Sequence, residues 1–79
     1  MPTYYFHVRS GSELIRDQEG QELASLEDAR AEALGSARDL LAEGARVGAD
    51  RSAWAVLVAD EAGGTLAEVP LSLAADRRD

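Results

Sequence analysis

The chain has 79 residues, 46% of them apolar and 29% charged, with 15 Asp and Glu against 8 basic residues, a formal net charge of −7 and no cysteine. A chain of this length hides only about 60 to 65% of its unfolded surface, which supports one modest core and not a second domain. Without cysteine there is no disulfide framework, no thiolate nucleophile and no Cys-type zinc or iron–sulfur site, so an intracellular, cytoplasmic setting is expected.

The opening Met1-Pro2-Thr3-Tyr4-Tyr5-Phe6-His7 has neither a basic leader nor a long apolar run. No window approaches the roughly 18 uninterrupted apolar residues that span a bilayer, and secretion or membrane insertion is not expected. Every basic residue is Arg, and Lys and Asn are absent. With abundant Ala, this reads as the codon bias of a GC-rich genome and not as a phosphate-binding signal.

From Thr3 to Arg9 the residues alternate, with Tyr4, Phe6 and Val8 on one side and Tyr5, His7 and Arg9 on the other, which predicts a strand with one strongly apolar face. Ser10-Gly11-Ser12 is a turn of small residues, and Glu13 to Arg16 is a short returning strand. Asp17-Gln18-Glu19-Gly20 fits a type I turn, with Asp first and Gly fourth.

Ser25 stands three residues before an acid, and Glu27 and Asp28 fall in a first turn where the helix dipole favours negative charge, so a helix is expected from Leu26. Leu26, Ala29, Ala33, Ala37, Leu40, Leu41 and Gly44 recur at three- and four-residue spacing, a stripe of small residues able to lie close on a sheet. A helix reaching Arg46 is about 30 Å long and crosses the sheet diagonally. Gly35 and Gly44 each cost about 1 kcal/mol relative to Ala, which argues for a close backbone approach or a frayed end. Gly48 is the expected terminator.

Ser52 to Ala59 places Trp54, Val56 and Val58 on one face and Ala55, Leu57 and Ala59 on the other, both apolar, as in a central strand. Asp60 to Gly64 supplies a hairpin turn. Thr65 to Leu71 returns with Thr65, Ala67, Val69 and Leu71 on one face, and Pro70 marks an edge or an end. Leu73 onward is a short helical turn or a solvated tail.

The predicted fold is therefore α+β: a single domain over 1–79 with strands at 3–9, 13–16, 52–59 and 65–71, one long helix at 26–46 packed on one sheet face, and a tail at 74–79. The order ββαββ gives a four-stranded antiparallel sheet, spatial order 2-1-3-4, with the two most apolar strands central and the polar and Pro-containing strands at the edges.

Tyr4-Tyr5-Phe6-His7, then Gly11, Asp17, Gly20, Leu23, the Ala29, Ala33 and Ala37 spacing, Asp60-Glu61-Ala62-Gly63 and Val69-Pro70-Leu71 resemble a small domain-of-unknown-function family abundant in alphaproteobacteria, whose members open with Tyr-Tyr-Phe-His. The likeness covers nearly the whole chain. It departs at Leu71, where the family more often carries an aromatic residue, which softens packing at the end of the last strand. The resemblance implies no activity, cofactor or catalytic residue.

His7 is the sole histidine, and none of the serines has the Gly-x-Ser-x-Gly context of a nucleophile elbow. Asp17, Glu19, Glu22, Glu27 and Asp28 form the densest acidic stretch, but the spacing is not that of an EF-hand loop, and a turn followed by an acidic first helical turn explains it better. One helix on a sheet leaves no depth for a pair of glycosidic carboxylates, and Gly63-Gly64 joins two strands instead of opening a helix. No cofactor or metal is expected. The few scattered arginines among nearly twice as many acids disfavour direct nucleic-acid binding.

One helix cannot cover both sheet faces, so Tyr5, His7 and Arg9, and Ile15 with them, are expected to line an open face with one apolar side of the third strand. The resulting expectation is a non-enzymatic interaction or regulatory module, self-associating as a homodimer or docking a protein partner through Tyr5, His7 and Arg9. The alternative is an acidic nucleic-acid mimic of the phage-inhibitor type, occupying a basic groove with Glu27, Asp28, Glu32, Asp39 and Glu43 along the helix. A small enzyme using His7 with a carboxylate is the residual reading.

Overall fold

Alternation along Thr3–Ser10 produces the first strand, β1, whose Tyr4 and Phe6 turn toward the core with Val8 on the same face. In the computed structural model, which describes residues 1–75, β1 is followed by β2 (Glu13–Ile15), β3 (Gln21–Glu22), the helix α1 (Leu26–Arg46), β4 (Ala55–Ala59), β5 (Thr65–Pro70) and a short helix α2 (Leu71–Ala75). The sheet is open and antiparallel, in the order β2-β1-β4-β5, with β3 also paired to β1. It therefore has five strands and not four.

The fifth strand explains how β1 is bordered. β3 pairs with Thr3 and Tyr4 at the start of β1, and β2 pairs with Val8 to Ser10 at its end. Both lie on the edge away from β4, leaving a gap opposite Phe6. On the other side β1 pairs with β4 through Tyr5↔Ala59, Phe6↔Val58, His7↔Leu57, Val8↔Val56 and Arg9↔Ala55.

Local signals fix the ends of α1. The Ser25 Oγ accepts from the Asp28 N–H at 3.2 Å, satisfying one of the amides that the first turn leaves unpaired. At the other end Gly48 has φ +75 and donates to the Ala45 carbonyl, while Ala49 donates to the Gly44 carbonyl at 2.8 Å. These two bonds are a Schellman motif, which needs a left-handed residue where Gly48 stands. Between the ends, Ala29, Ala33 and Ala37 are fully buried, so the helix backbone rides close on the sheet.

The core is that Ala stripe against Val56, Val58 and Val69, with Tyr4 and Leu71 closing it. α1 lies over β4 and β5 and does not centre on β1. Burial falls off accordingly across the helix-side face. Val56 and Val58 are fully buried, Phe6 and Val8 are half-buried, and Ile15, opposite Val8, is 54% exposed.

Two further expectations change. Leu71 does not continue the last strand: it begins α2, is fully buried, and donates its N–H to the Trp54 carbonyl at 2.9 Å. β4 correspondingly starts at Ala55 and not at Ser52, since Trp54 N–H turns back to the Arg51 carbonyl. A register shift between Val58 and Ala59 pairs Ala59 with Thr65, so Thr65 leaves the face shared by Ala67 and Val69. Of the expected tail, Ala74 is buried in α2 and residues 76–79 lie outside the described residues.

Candidate functional site

The face of the sheet opposite α1 is built by alternation. Tyr5, His7 and Arg9 from β1 point there because Tyr4, Phe6 and Val8 point to the core. Their partners Ala59, Leu57 and Ala55 in β4 and the neighbour Glu68 in β5 share that face. Ile15 does not: its partner is Val8, so it stands on the helix side, and Leu14, opposite Arg9, takes the open side.

Side chains on this face support one another. The Tyr5 and His7 rings stack with centroids 6.4 Å apart and planes 22° off parallel. Arg9 forms an ion pair with Glu68, reaching diagonally over β4 and tying three strands together. Both partners are partly exposed, so the pair contributes little stability as it stands. Ala55 and Ala59 are nearly inaccessible between these larger neighbours, while Tyr5, His7, Arg9 and Leu57 remain half-buried.

Asp17 anchors the edge of this face. Its carboxylate accepts from the Phe6 N–H at 3.0 Å, filling the gap between β2 and β3, and from Glu19 and Gly20 at 3.1 and 3.3 Å. Its own N–H donates to His7 Nδ1 at 3.0 Å. Burial alone raises the Asp17 pKa, but the three amides, with a smaller Coulombic attraction from His7, outweigh it and hold the carboxyl below its ordinary value. Gly20 (φ +74) follows because a Cβ there would come within 2.8 Å of both Thr3 and the Tyr5 ring.

This geometry bears on proton-transfer chemistry. In a catalytic triad a carboxylate accepts from His Nδ1–H and orients the ring as a base. Here a backbone N–H donates to Nδ1, and the Asp17 carboxylate is turned to main-chain amides. His7 is thus fixed as an acceptor at Nδ1, with its neutral-state proton on Nε2.

The acidic residues expected to act together stand elsewhere. Glu27, Asp28, Glu32, Asp39 and Glu43 are all exposed on α1, across the sheet from Tyr5, His7 and Arg9. Arg30, Arg38 and Arg46 interleave with them, and Glu43 is 3.6 Å from Arg51. That arginine also donates to the Leu40 carbonyl at 3.2 Å and lies 4.6 Å from the Trp54 ring centroid. Among the described residues no group of three or more His, Asp or Glu is placed to hold a metal ion. No helix among them is long and apolar enough to cross a membrane.

Glu68 and Asp17 serve the open face without a sequence signal for their contacts: alternation puts Glu68 opposite Ala67 and Val69 but does not pair it with Arg9, and Asp17 reads as a turn residue.

A family model described as Domain of unknown function (DUF6894) matches residues 3–72. The chain belongs to this family. The matched span includes the whole sheet, α1, the Asp17 loop and the first residues of α2. No curated protein and no solved structure matches the chain.

Proposed function

We propose that this DUF6894 domain is a non-catalytic protein-interaction module that self-associates through its open sheet face. The observation carrying the reading is the cluster of Tyr5, His7 and Leu57, framed by the Arg9–Glu68 pair, on a face with no covering layer among the described residues. A sheet normally buries at least one apolar face against another layer, and the central strand here is apolar on both. A second copy packed face to face supplies that layer symmetrically, with aromatic and Arg side chains as anchors.

Light scattering on the purified chain across a concentration series tests this. The expected result is a dimer mass that reverts to monomer in a Tyr5→Ser/His7→Ser variant whose circular dichroism matches wild type. A wild-type chain that stays monomeric at every concentration, or a variant that dimerises unchanged, overturns it.

The acidic row of α1 motivates a second reading, a decoy for a basic nucleic-acid-handling protein with Glu27, Asp28, Glu32, Asp39 and Glu43 as contacts. Arg46, three residues past Glu43, and Arg51, 3.6 Å from Glu43, close that row with positive charge and weigh against it, since a phosphate-like surface needs uninterrupted negative charge. Binding that survives charge reversal at those acids removes the idea. The reading as a small enzyme draws no support from His7, whose Nδ1 faces an amide and not a carboxylate.

A further inference from the structure

The helix side of the sheet carries a shelf that α1 leaves open. Four strands abreast at about 4.8 Å spacing are wider than one helix of about 10 Å diameter can cover, and α1 sits over β4 and β5. What remains is a groove of about 290 Å³ with Phe6, Val8 and Val56 as its floor and Ser36, Asp39 and Leu40 of α1 as its wall. Ile15, beside Val8 on the same face and 54% exposed, extends the floor onto β2.

The wall is charged in one sense along most of its length. Asp28, Glu32, Ser36, Asp39 and Glu43 follow one another at four-, four-, three- and four-residue steps, which places them in one row on the flank of α1. Ser36 and Asp39 line the groove, so the row runs above it. Three of its acids, Asp28, Glu32 and Asp39, have no arginine partner among the described ion pairs.

We infer that this shelf docks an amphipathic helix of a partner protein, lying alongside α1 with its apolar stripe on Phe6, Val8 and Ile15 and a row of Arg or Lys against Asp28, Glu32 and Asp39. The shelf's width fits one element, and a second helix beside the first would complete the covering layer. The acidic wall selects the sign of the partner's charge, and the apolar floor supplies the contact area. The inference shares the reading of the domain as an interaction module but uses the opposite side of the sheet.

The test uses the full chain with labelled Ile, Leu and Val methyl groups. The probe is an 18-residue synthetic helix carrying Leu on one stripe and Arg on one flank, with a counterpart in which Glu replaces every Arg. The Arg peptide is expected to shift the methyl signals of Val8, Ile15 and Leu40 while leaving those of Leu57 in place. It should bind about tenfold more tightly than the Glu peptide at low salt. Ile15→Asp and Asp39→Arg, both at exposed positions, should each weaken it about tenfold without unfolding the chain.

Equal binding of the two peptides overturns the inference, as does the absence of any methyl shift or a shift confined to Leu57. Loss of self-association in Ile15→Asp would make the occupant a second copy and also overturns it. A Leu57→Glu variant separates the two surfaces: it should lose self-association and keep the Arg peptide.

Discussion

Asp17 replaces a strand. Opposite Phe6 neither β2 nor β3 reaches, and a partly buried main-chain N–H left there would be unpaired; the carboxylate accepts it and holds two more amides of its own turn. Asp17→Ala should lower unfolding stability by about 2 kcal/mol, since hydrogen bonds to a charged acceptor are worth roughly 1.5 to 3 kcal/mol and Asp17 is only half-buried. Chemical denaturation of the variant against wild type measures it. A folded-state pKa below the ordinary value means that the ionised carboxylate favours the fold above its unfolded pKa and that this contribution disappears as pH falls through the folded one. The wild-type advantage over Asp17→Asn should therefore be constant near neutrality and shrink below about pH 4.

The His7 ring offers a direct check on the same contact. An N–H from Asp17 aimed at Nδ1 requires that nitrogen to be the acceptor, so the neutral ring should be the Nε2–H tautomer. Long-range nitrogen–proton correlation spectra read this, and the Nδ1–H tautomer would contradict the contact. The sequence signals Asp17 only as the first residue of a turn and His7 only as one position in an alternating strand. Their contact joins positions ten residues apart through two short edge strands, and periodicity carries no record of such a meeting.

At the scale of elements, legibility followed length. α1 has nearly six turns of spacing at about 3.6 residues each, a capping serine and a terminating glycine, and each signal agrees with the others. β3 has two residues, Gln21 and Glu22, both exposed, and offers no alternation to recognise. α2 is hidden by Pro70, which reads equally as the end of a strand and as the residue that precedes a helix, while Leu71 continues the apolar alternation of β5 in sequence.

The two glycines within α1, Gly35 and Gly44, separate on packing. A Cβ on Gly44 would meet the Ala49 carbonyl and the Arg51 stem at 2.9 Å, whereas one on Gly35 would meet nothing within 4 Å. Gly35→Ala should stabilise by about 0.5 to 1 kcal/mol through helix propensity alone. Gly44→Ala should destabilise by about 1 to 2 kcal/mol, because displacing the carbonyl disturbs the Schellman turn that ends α1. Thermal melts of the pair decide it, and a shift in the same direction for both would contradict the close approach.

For the whole molecule, helices cover one face of the sheet, and the extents of 37 × 31 × 16 Å describe a slab whose other broad side is bare among the described residues. Slabs of this shape gain stability from whatever covers them. If copies associate through Tyr5, His7 and Leu57, folding is coupled to association and the melting temperature depends on concentration. With an unfolding enthalpy of about 0.7 kcal/mol per residue, a hundredfold rise in concentration should raise the melting temperature of a folded dimer by roughly 5 to 10 °C. Leu57→Glu places a charge at the centre of that face, opposite His7 and beside Glu68. It should abolish the dependence while the dilute-limit melting temperature moves little, because Leu57 points away from the α1 core. A wild-type melt that is flat across concentration would mean the bare face stays bare in solution. A large loss in the dilute limit would mean that Leu57 stabilises the single chain and not the contact between chains.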